Sequence, residues 1–281
     1  MSVLVPTSLD AALQAMANAP DATVLAGGTD VMVELNSGHR RAQHVIVVNR
    51  VPELCTWQCD GVSLRIGAGI RYAEIERDPI AGWAPALAEA ARTVGSPQIR
   101  HAATIGGNIG TCSPAGDGLP VLSALDAVVH LASSASTRNV AFADFMLGPK
   151  RTALLPGELV VAVTVPVLHG WQGYAKVGVR NAMVIATASV AVVTDVPTSS
   201  VRIALGSVGP VILRCPEAEA LAAAHANFHD GRLGDDVLHR CSELAMQAAR
   251  PIDDHRSTAI YRRHAVGVLV GRLLRRAFPN G

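Results

Sequence analysis

Two glycine-rich stretches carry the residue types that could bind a ligand. The longer one, residues 104–117, combines glycines with small hydroxyl side chains, an asparagine and an aspartate. Adjacent glycines leave main-chain N–H groups unobstructed, so a loop of this composition can form a concave nest for an anion such as a pyrophosphate. Ser113 and Asp117 would add side-chain contacts. A second double glycine lies within residues 25–30, and we expect the two stretches to grip one long ligand.

The elements around the shorter stretch predict a compact βαβ unit. Residues 23–26 form a short apolar run typical of a strand, and the double glycine follows it directly. Residues 30–35 then indicate one or two helical turns with Met32 among the inward-facing side chains, and residues 45–48 indicate the next strand. The loop therefore lies where a strand meets a helix N-terminus, a place that favours phosphate.

The second half of the chain has a different pattern. Strand-like runs at 173–177, 185–193 and 201–205 predict a small antiparallel sheet. Three helices are expected to follow it, at 216–224, 235–249 and 257–277. The periodicity of the last helix predicts an apolar inner face and a solvated basic face. The inner face would comprise Ile260, Ala265, Leu269, Leu273 and Leu274, and the basic face Arg262, Arg263, Arg272, Arg275 and Arg276.

Composition narrows the class of protein. The net charge is +1 and 17% of the 281 residues are charged, which argues against a nucleic-acid partner. Five cysteines in no zinc or ferredoxin spacing predict neither disulfides nor a bound metal. No apolar run approaches the length needed to span a bilayer, and no signal peptide is evident, so we expect a cytoplasmic protein without a membrane span. No Ser-His-Asp or Cys-His grouping stands out, which disfavours covalent hydrolytic chemistry.

Three segments together resemble the paired flavin signature of a known family. They are Ala-Gly-Gly-Thr-Asp at 26–30, Ala-Thr-Ile-Gly-Gly-Asn-Ile at 103–109 and Ser-Pro-Ala-Gly-Asp at 113–117. Their order and separation resemble those of the FAD-binding medium subunit of molybdenum hydroxylases, the family of xanthine, carbon monoxide and nicotine dehydrogenases. The resemblance continues through 148–149, 156–158, Lys176 with Arg180, and Ala-Arg-Pro-Ile-Asp-Asp at 249–254.

The resemblance implies an α+β fold of the PCMH-type FAD-binding class. Two α/β subdomains, 1–55 and 56–168, would clasp FAD, and residues 169–281 would form a C-terminal domain with an antiparallel sheet and helices. Relatives imply that Asp117 contacts the nucleotide portion of FAD and that Lys176 lies near the flavin ring. The full set of residues implied to bind the cofactor is Ala26, Gly27, Gly28, Thr29, Asp30, Thr104, Gly106, Gly107, Asn108, Ser113, Asp117 and Lys176.

Two positions depart from the family pattern. Ile70 stands where relatives usually have threonine, and Val184 stands where they often have aspartate. The Gly67-Ala68-Gly69 triplet is not a GxGxxG fingerprint because Tyr72 occupies the final glycine position. We interpret these two glycines as structural turn residues.

The implied task is electron transfer. A large partner subunit would hold the molybdenum cofactor, and the [2Fe-2S] clusters of a small partner subunit would pass electrons to the flavin and on to an external acceptor. The complex would be a heterotrimer, commonly a dimer of heterotrimers. Two alternatives are a stand-alone flavoenzyme of the same fold acting on a small molecule, and a subunit that binds a nucleotide without redox turnover. The sequence does not identify the substrate or the acceptor.

Overall fold

A small parallel sheet begins the fold. The structure, a computed structural model, describes residues 2–281. The strands lie in the order β1-β3-β2 and pair in parallel, with Thr23 opposite Val45. The elements are β1 Ser2–Leu4, α1 Leu9–Asn18, β2 Thr23–Leu25, α2 Val31–Asn36 and β3 His44–Val47. The predicted βαβ unit is confirmed, and the shorter glycine stretch connects β2 to α2.

Helix α2 differs from the expectation in its burial. Met32 is 41% exposed and Val33 is 64% exposed, and no residue of this six-residue helix is buried. The expectation that Met32 faces inward is therefore wrong. An apolar pattern predicts which side of a helix could be covered, but the packing of residues 2–281 leaves Met32 and Val33 exposed.

An antiparallel sheet of five strands forms the middle of the molecule. Its strand order is β4-β5-β10-β6-β7. The strands are β4 Trp57–Cys59, β5 Ser63–Gly67, β6 Val128–Ala132, β7 Thr137–Ala141 and β10 Leu159–Pro166, with a separate hairpin of β8 Met146–Gly148 and β9 Arg151–Thr152. A 3-10 turn covers Pro52–Cys55, and the helices are α3 Tyr72–Ile75, α4 Ile80–Trp83, α5 Pro85–Thr93, α6 Pro97–Ala102, α7 Ile105–Thr111, α8 Gly118–Ala124 and α9 Phe142–Phe145.

The C-terminal part is the predicted antiparallel sheet with three helices. Its strands lie in the order β11-β12-β13-β14. They are β11 Gln172–Val177, β12 Ala188–Asp195, β13 Ser200–Gly206 and β14 Leu213–Arg214, followed by α10 Pro216–His225, α11 Asp235–Ala248 and α12 Ala259–Ala277. Strand β12 begins three residues later than expected, because Ile185 lies in a loop and is 52% exposed.

Both faces of this C-terminal sheet are buried. Along β12, Val190 and Val192 belong to a core formed with α10, α11 and α12. Ala191 and Val193 point the other way, into the core that also contains the middle sheet and the faces of α5 and α8. Burial on both sides explains why β12 has an uninterrupted apolar run rather than an alternating one.

Two residues of α12 depart from the predicted faces. Ile260, expected inside, is 80% exposed, and Arg262, expected on the solvated face, is only 3% exposed. Arg262 is buried because carbonyl oxygens and the Asp254 carboxylate surround its guanidinium. The remaining expectations for this helix are confirmed: Ala265, Leu269, Leu273 and Leu274 are buried, and Arg263, Arg272, Arg275 and Arg276 are exposed.

Residues 2–281 offer neither a helix suited to a membrane nor a cluster suited to a metal. None of the helices there combines the length and apolar character that crossing a bilayer requires. Those residues also contain no group of three or more His, Cys, Asp or Glu side chains placed to hold a metal ion.

Candidate functional site

Half of the longer glycine stretch forms a helix. The open loop that its composition suggested is therefore wrong for residues 105–111. Helix α7 occupies Ile105–Thr111, and its N-cap residue Thr104 accepts a hydrogen bond from Gly107 N through Oγ1. Ile105 and Ile109 are buried at i, i+4 spacing and anchor the helix. This anchoring outweighs the poor helix propensity of glycine.

The first amide groups of α7 already have partners. Ile105 N donates to the Ile70 carbonyl oxygen at 3.0 Å, and Gly106 N donates to the Ala68 carbonyl oxygen at 2.9 Å. A Cβ on Gly106 would overlap Ala68 Cβ and lie 2.7 Å from the Ala68 carbonyl oxygen. The first turn of α7 is therefore built onto residues 68–70, and the expected nest of free amides is not formed by Ile105, Gly106 or Gly107.

Gly107 and Gly110 have a different role, because each leaves open space beside the helix. A Cβ on Gly107 would approach only Thr104 Oγ1, at 3.1 Å, and a Cβ on Gly110 would meet nothing within 4 Å. Neither glycine has a positive φ. The fold itself therefore does not require glycine at these two positions, which leaves a smooth surface on which a ligand can approach the backbone.

Free amide donors lie instead in the shorter glycine stretch. Within residues 2–281, the N–H groups of Gly27, Gly28 and Thr29 donate no hydrogen bond. Gly28 has φ +72°, a conformation that favours glycine. A Cβ on Gly27 would overlap the Ala102 carbonyl oxygen. This close approach packs the shorter stretch against the end of α6, two residues before Thr104 begins the longer stretch.

Asn108 is held from behind by a tyrosine. Its Oδ1 accepts a hydrogen bond from the Tyr72 hydroxyl at 2.7 Å. Gly116 and Gly118 pack against the same amide, and a Cβ on either would lie 2.6 to 3.1 Å from an Asn108 side-chain atom. The Asn108 side chain is therefore fixed between Tyr72 and the two glycines that flank Asp117.

Asp117 and Lys176 form a buried ion pair. Lys176 Nζ lies 2.7 Å from Asp117 Oδ2, and the two side chains are 8% and 9% exposed. The ammonium also donates to the carbonyl oxygens of Thr93 and Val184, and the Tyr174 hydroxyl donates to Asp117 Oδ1 at 2.8 Å. Burial raises the pKa of Asp117, while the Lys176 ammonium acts in the opposite direction.

The remaining predicted residues surround these groups. Ala26 and Thr29 are half-buried and Asp30 is exposed, and the Asp30 carbonyl oxygen accepts from the first turn of α2. Ser113 Oγ accepts a hydrogen bond from Ala115 N at 3.3 Å. The sequence did not indicate that Tyr72 and Tyr174 bind Asn108 and Asp117. Nothing in a single sequence shows which buried hydroxyl will contact a polar group far away in the chain.

The glycines of the Gly67-Ala68-Gly69 triplet are packing residues. A Cβ on Gly67 would overlap the Leu54 carbonyl oxygen, and a Cβ on Gly69 would lie 2.8 Å from Cys55 Sγ. Ile70 is only 1% exposed. Their close packing is consistent with the interpretation of these glycines as structural residues, and the carbonyl oxygens of Ala68 and Ile70 accept the first amides of α7.

Two family models match the chain. Residues 1–168 match the FAD binding domain in molybdopterin dehydrogenase, and residues 174–277 match the CO dehydrogenase flavoprotein C-terminal domain. The chain belongs to the FAD-binding subunits of the molybdopterin dehydrogenases. It is thus an FAD-binding oxidoreductase subunit, and the predicted family and PCMH-type fold are confirmed.

Relatives and solved structures agree over almost the whole length. The glyceraldehyde dehydrogenase medium chain of Sulfolobus acidocaldarius is 33% identical, with 93% of this chain and 92% of the relative covered. A putative xanthine dehydrogenase FAD-binding subunit of Escherichia coli is 30% identical, at 95% and 92% coverage. Among solved structures, a carbon monoxide dehydrogenase from Hydrogenophaga pseudoflava that lacks the Mo-pyranopterin moiety of its molybdenum cofactor has a TM-score of 0.90 and 29% identity, at 99% and 97% coverage.

The residues present fit FAD. A pyrophosphate needs hydrogen-bond donors, which Gly27, Gly28 and Thr29 offer through amides that have no partner within residues 2–281. It also needs room to approach, which Gly107 and Gly110 leave open. The stretch with the donors packs against Ala102, two residues before the stretch that leaves the space.

Proposed function

We propose that this chain is the electron-transfer subunit of a molybdenum-containing hydroxylase or dehydrogenase complex. Bound FAD would supply the redox chemistry, accepting electrons from [2Fe-2S] clusters of a partner subunit and releasing them to an external acceptor. The observation that carries the proposal is the packing of Gly27 against Ala102, two residues before the longer stretch, together with amides at 27–29 that have no partner within residues 2–281 and open space beside Gly107 and Gly110. The residues of this chain bind and orient the cofactor.

Within this proposal the cofactor-binding residues divide into three groups. Residues 26–30 present amide donors to the pyrophosphate. Gly107 would form the open side of α7 against which the cofactor lies, while Thr104, Gly106 and Asn108 would hold that turn of the helix in place. Ser113, with the Asp117–Lys176 pair, closes the polar end of the site. We place the domain boundaries after residues 55 and 168, so that the three larger sheets fall into separate units, and we place the cofactor between the first two units.

The proposed partners are a large subunit with the molybdenum cofactor and a small subunit with [2Fe-2S] clusters. Relatives described as a medium chain and as an FAD-binding subunit support an assembly of several chains. Within residues 2–281 no cluster of metal-ligating side chains is present, so the metal centres of such a complex would lie on other chains. A dimer of heterotrimers is the proposed assembly.

The test is co-expression of this chain with the iron–sulfur and molybdenum subunits from neighbouring reading frames. A tag on this chain should recover all three polypeptides with FAD, iron and molybdenum, and substrate added without oxygen should bleach the flavin. Acid precipitation should release the flavin into the supernatant, because the proposed contacts are non-covalent.

Two outcomes would contradict the proposal. If the folded protein is colourless and does not bind added FAD, flavin binding is excluded. A flavin-loaded chain that binds no partner and oxidises a small molecule unaided would favour a stand-alone flavoenzyme instead.

A further inference from the structure

A buried arginine organises the C-terminal part of the chain. Arg262 Nη1 donates to the Thr187 carbonyl oxygen at 2.7 Å and to the Ser207 carbonyl oxygen at 2.9 Å. Arg262 Nη2 donates to Asp254 Oδ1 at 2.7 Å. The same Asp254 oxygen accepts the amides of Arg256 and Ser257. One guanidinium thus ties α12 to the end of the 249–254 motif, to the residue before β12 and to the residue after β13.

Ser207 connects this cluster to the candidate flavin site. Its amide donates to the Pro114 carbonyl oxygen at 2.8 Å, inside the segment 113–117. Its φ is +62°, a left-handed conformation that a residue other than glycine holds only when its neighbours enforce it. The bond from Arg262 to the Ser207 carbonyl oxygen is one such restraint.

The preceding residue shows how closely the two parts approach each other. A Cβ on Gly206 would lie 2.7 Å from Pro120 Cγ and 3.5 Å from the Pro114 carbonyl oxygen. Residues 206–207 therefore rest directly on the segment 113–117 and on α8. A displacement of Ser207 would therefore also displace Pro114, because the two residues are in direct contact.

We propose that Arg262 is a positioning residue for the flavin site, acting through Ser207 and Pro114 to hold the segment 113–117 in place. Asp254 fixes the direction of the guanidinium, which gives the 249–254 motif a function although it lies outside the site. The inference rests on the proposed role of Ser113 and Asp117 in binding FAD. It assigns to Arg262 no contact with the cofactor.

A second arginine supplies a matched control. Arg214 also joins the C-terminal sheet to α8, but at the other end of that helix. Its Nη1 donates to the Ser123 carbonyl oxygen at 3.0 Å and to Asp126 Oδ1 at 2.6 Å, and it pairs with Glu219. Removing Arg214 weakens the same junction without touching Ser207.

The first experiment compares Arg262→Gln, Arg262→Lys and Arg214→Gln in the full chain. Dissociation constants for FAD are measured by flavin fluorescence titration. Losing the charge-assisted hydrogen bond to the Ser207 carbonyl oxygen, which restrains the segment through Ser207, should raise the dissociation constant for FAD at least about tenfold in Arg262→Gln. In Arg214→Gln we expect the dissociation constant for FAD to change less than about threefold, because this junction is remote from the cofactor. In Arg262→Lys the constant should lie between those of Arg214→Gln and Arg262→Gln.

Hydrogen–deuterium exchange of the same proteins without FAD distinguishes a local loosening of the segment 113–117 from a general loss of stability. Peptides that cover 113–117 and the Ser207 amide should exchange faster in Arg262→Gln than in the wild type. Those peptides should keep wild-type rates in Arg214→Gln. Equal acceleration in both variants, or none in Arg262→Gln, would overturn the inference.

A second pair of variants leaves Arg262 in place. Ser207→Gly keeps the amide and tolerates the positive φ, so FAD affinity should stay at the wild-type value. Ser207→Val places a β-branched residue at a positive φ and should weaken binding like Arg262→Gln. If Ser207→Val binds FAD normally, the inference is wrong. If the wild-type chain itself binds no FAD, the proposed function fails, whereas the exchange measurements still report whether Arg262 restrains the segment.

Discussion

Replacing Gly107 with alanine should separate flavin binding from folding. Gly107 lies within α7, has no positive φ, and faces space in which a Cβ would meet only Thr104 Oγ1, at 3.1 Å. The fold can therefore accept a methyl group there. The cofactor cannot, if it occupies the open side of the helix as proposed.

The two effects have opposite signs. Alanine is preferred over glycine inside a helix by about 0.5–1 kcal/mol, so the variant without FAD should be as stable as the wild type or slightly more stable. The methyl group would push the phosphate away from its donors, and one lost charge-assisted hydrogen bond costs about 1.5–3 kcal/mol. That loss corresponds to a rise in the dissociation constant for FAD of roughly tenfold to a hundredfold.

The assay pairs urea unfolding of the chain without FAD with a fluorescence titration of FAD. Gly106→Ala is the matched control, because its Cβ would overlap Ala68 Cβ and crowd the Ala68 carbonyl oxygen. Overpacking of this kind typically costs about 1–3 kcal/mol, so Gly106→Ala should lower the free energy of unfolding even without cofactor.

One result would refute this reasoning. If Gly107→Ala keeps wild-type FAD affinity at unchanged stability, the open side of α7 is not where the cofactor lies. A loss of stability in Gly107→Ala comparable to that of Gly106→Ala would show instead that the space beside Gly107 is already filled by the chain.

Two further predictions concern buried charge. Asp117→Asn leaves the Lys176 ammonium buried without its counter-ion, so the free energy of unfolding should fall by about 3–5 kcal/mol in urea titrations. The control is Asp126→Asn, at a carboxylate that is 53% exposed, which should lower the free energy of unfolding by no more than about 1 kcal/mol. Equal losses in the two variants would contradict a buried Asp117–Lys176 ion pair. Burial alone would raise the pKa of Asp254, but amide groups and the Arg262 guanidinium outweigh it and hold the pKa at about 2, against an ordinary 3.8. Because the folded-state pKa is depressed, this stabilisation is present above the ordinary value and is lost as the pH falls toward 2, so the difference in unfolding free energy between wild type and Asp254→Asn should shrink between about pH 6 and pH 3. A difference that grows on acidification would show that the carboxylate is not stabilised by these partners.

The sequence predicted helices and strands well where the hydrophobic pattern is local and a neighbouring element covers the apolar face. The βαβ unit, the C-terminal sheet and its three helices follow from periodicity and turn residues. Periodicity failed at Met32 and Ile260, both exposed, because an apolar stripe does not say whether another layer exists to cover it. It failed at Arg262 for the opposite reason, since buried carbonyl oxygens far away in the chain surround the guanidinium.

The candidate site shows a similar division. Motif order predicts that the two glycine stretches bind one ligand, but it did not indicate their conformations. Composition favoured a loop at 104–117, whereas two buried isoleucines and the N-cap at Thr104 produce α7. The pairing of Asp117 with Lys176 depends on packing between distant elements, and no spacing in one chain encodes such a contact.

Burial of both faces of β12 has a consequence for how the protein is made. During synthesis, residues 1–168 leave the ribosome before the strand that covers α8, a helix whose seven residues are all buried in the finished chain. Until β12 arrives, the apolar side of α8 has no cover. The boundary between the two family models, at residues 168–174, therefore lies between two segments that bury apolar side chains in one shared core. A chain truncated at that boundary would expose the surface against which Ala191 and Val193 pack, and the segment 113–117 would lose its hydrogen bond from Ser207.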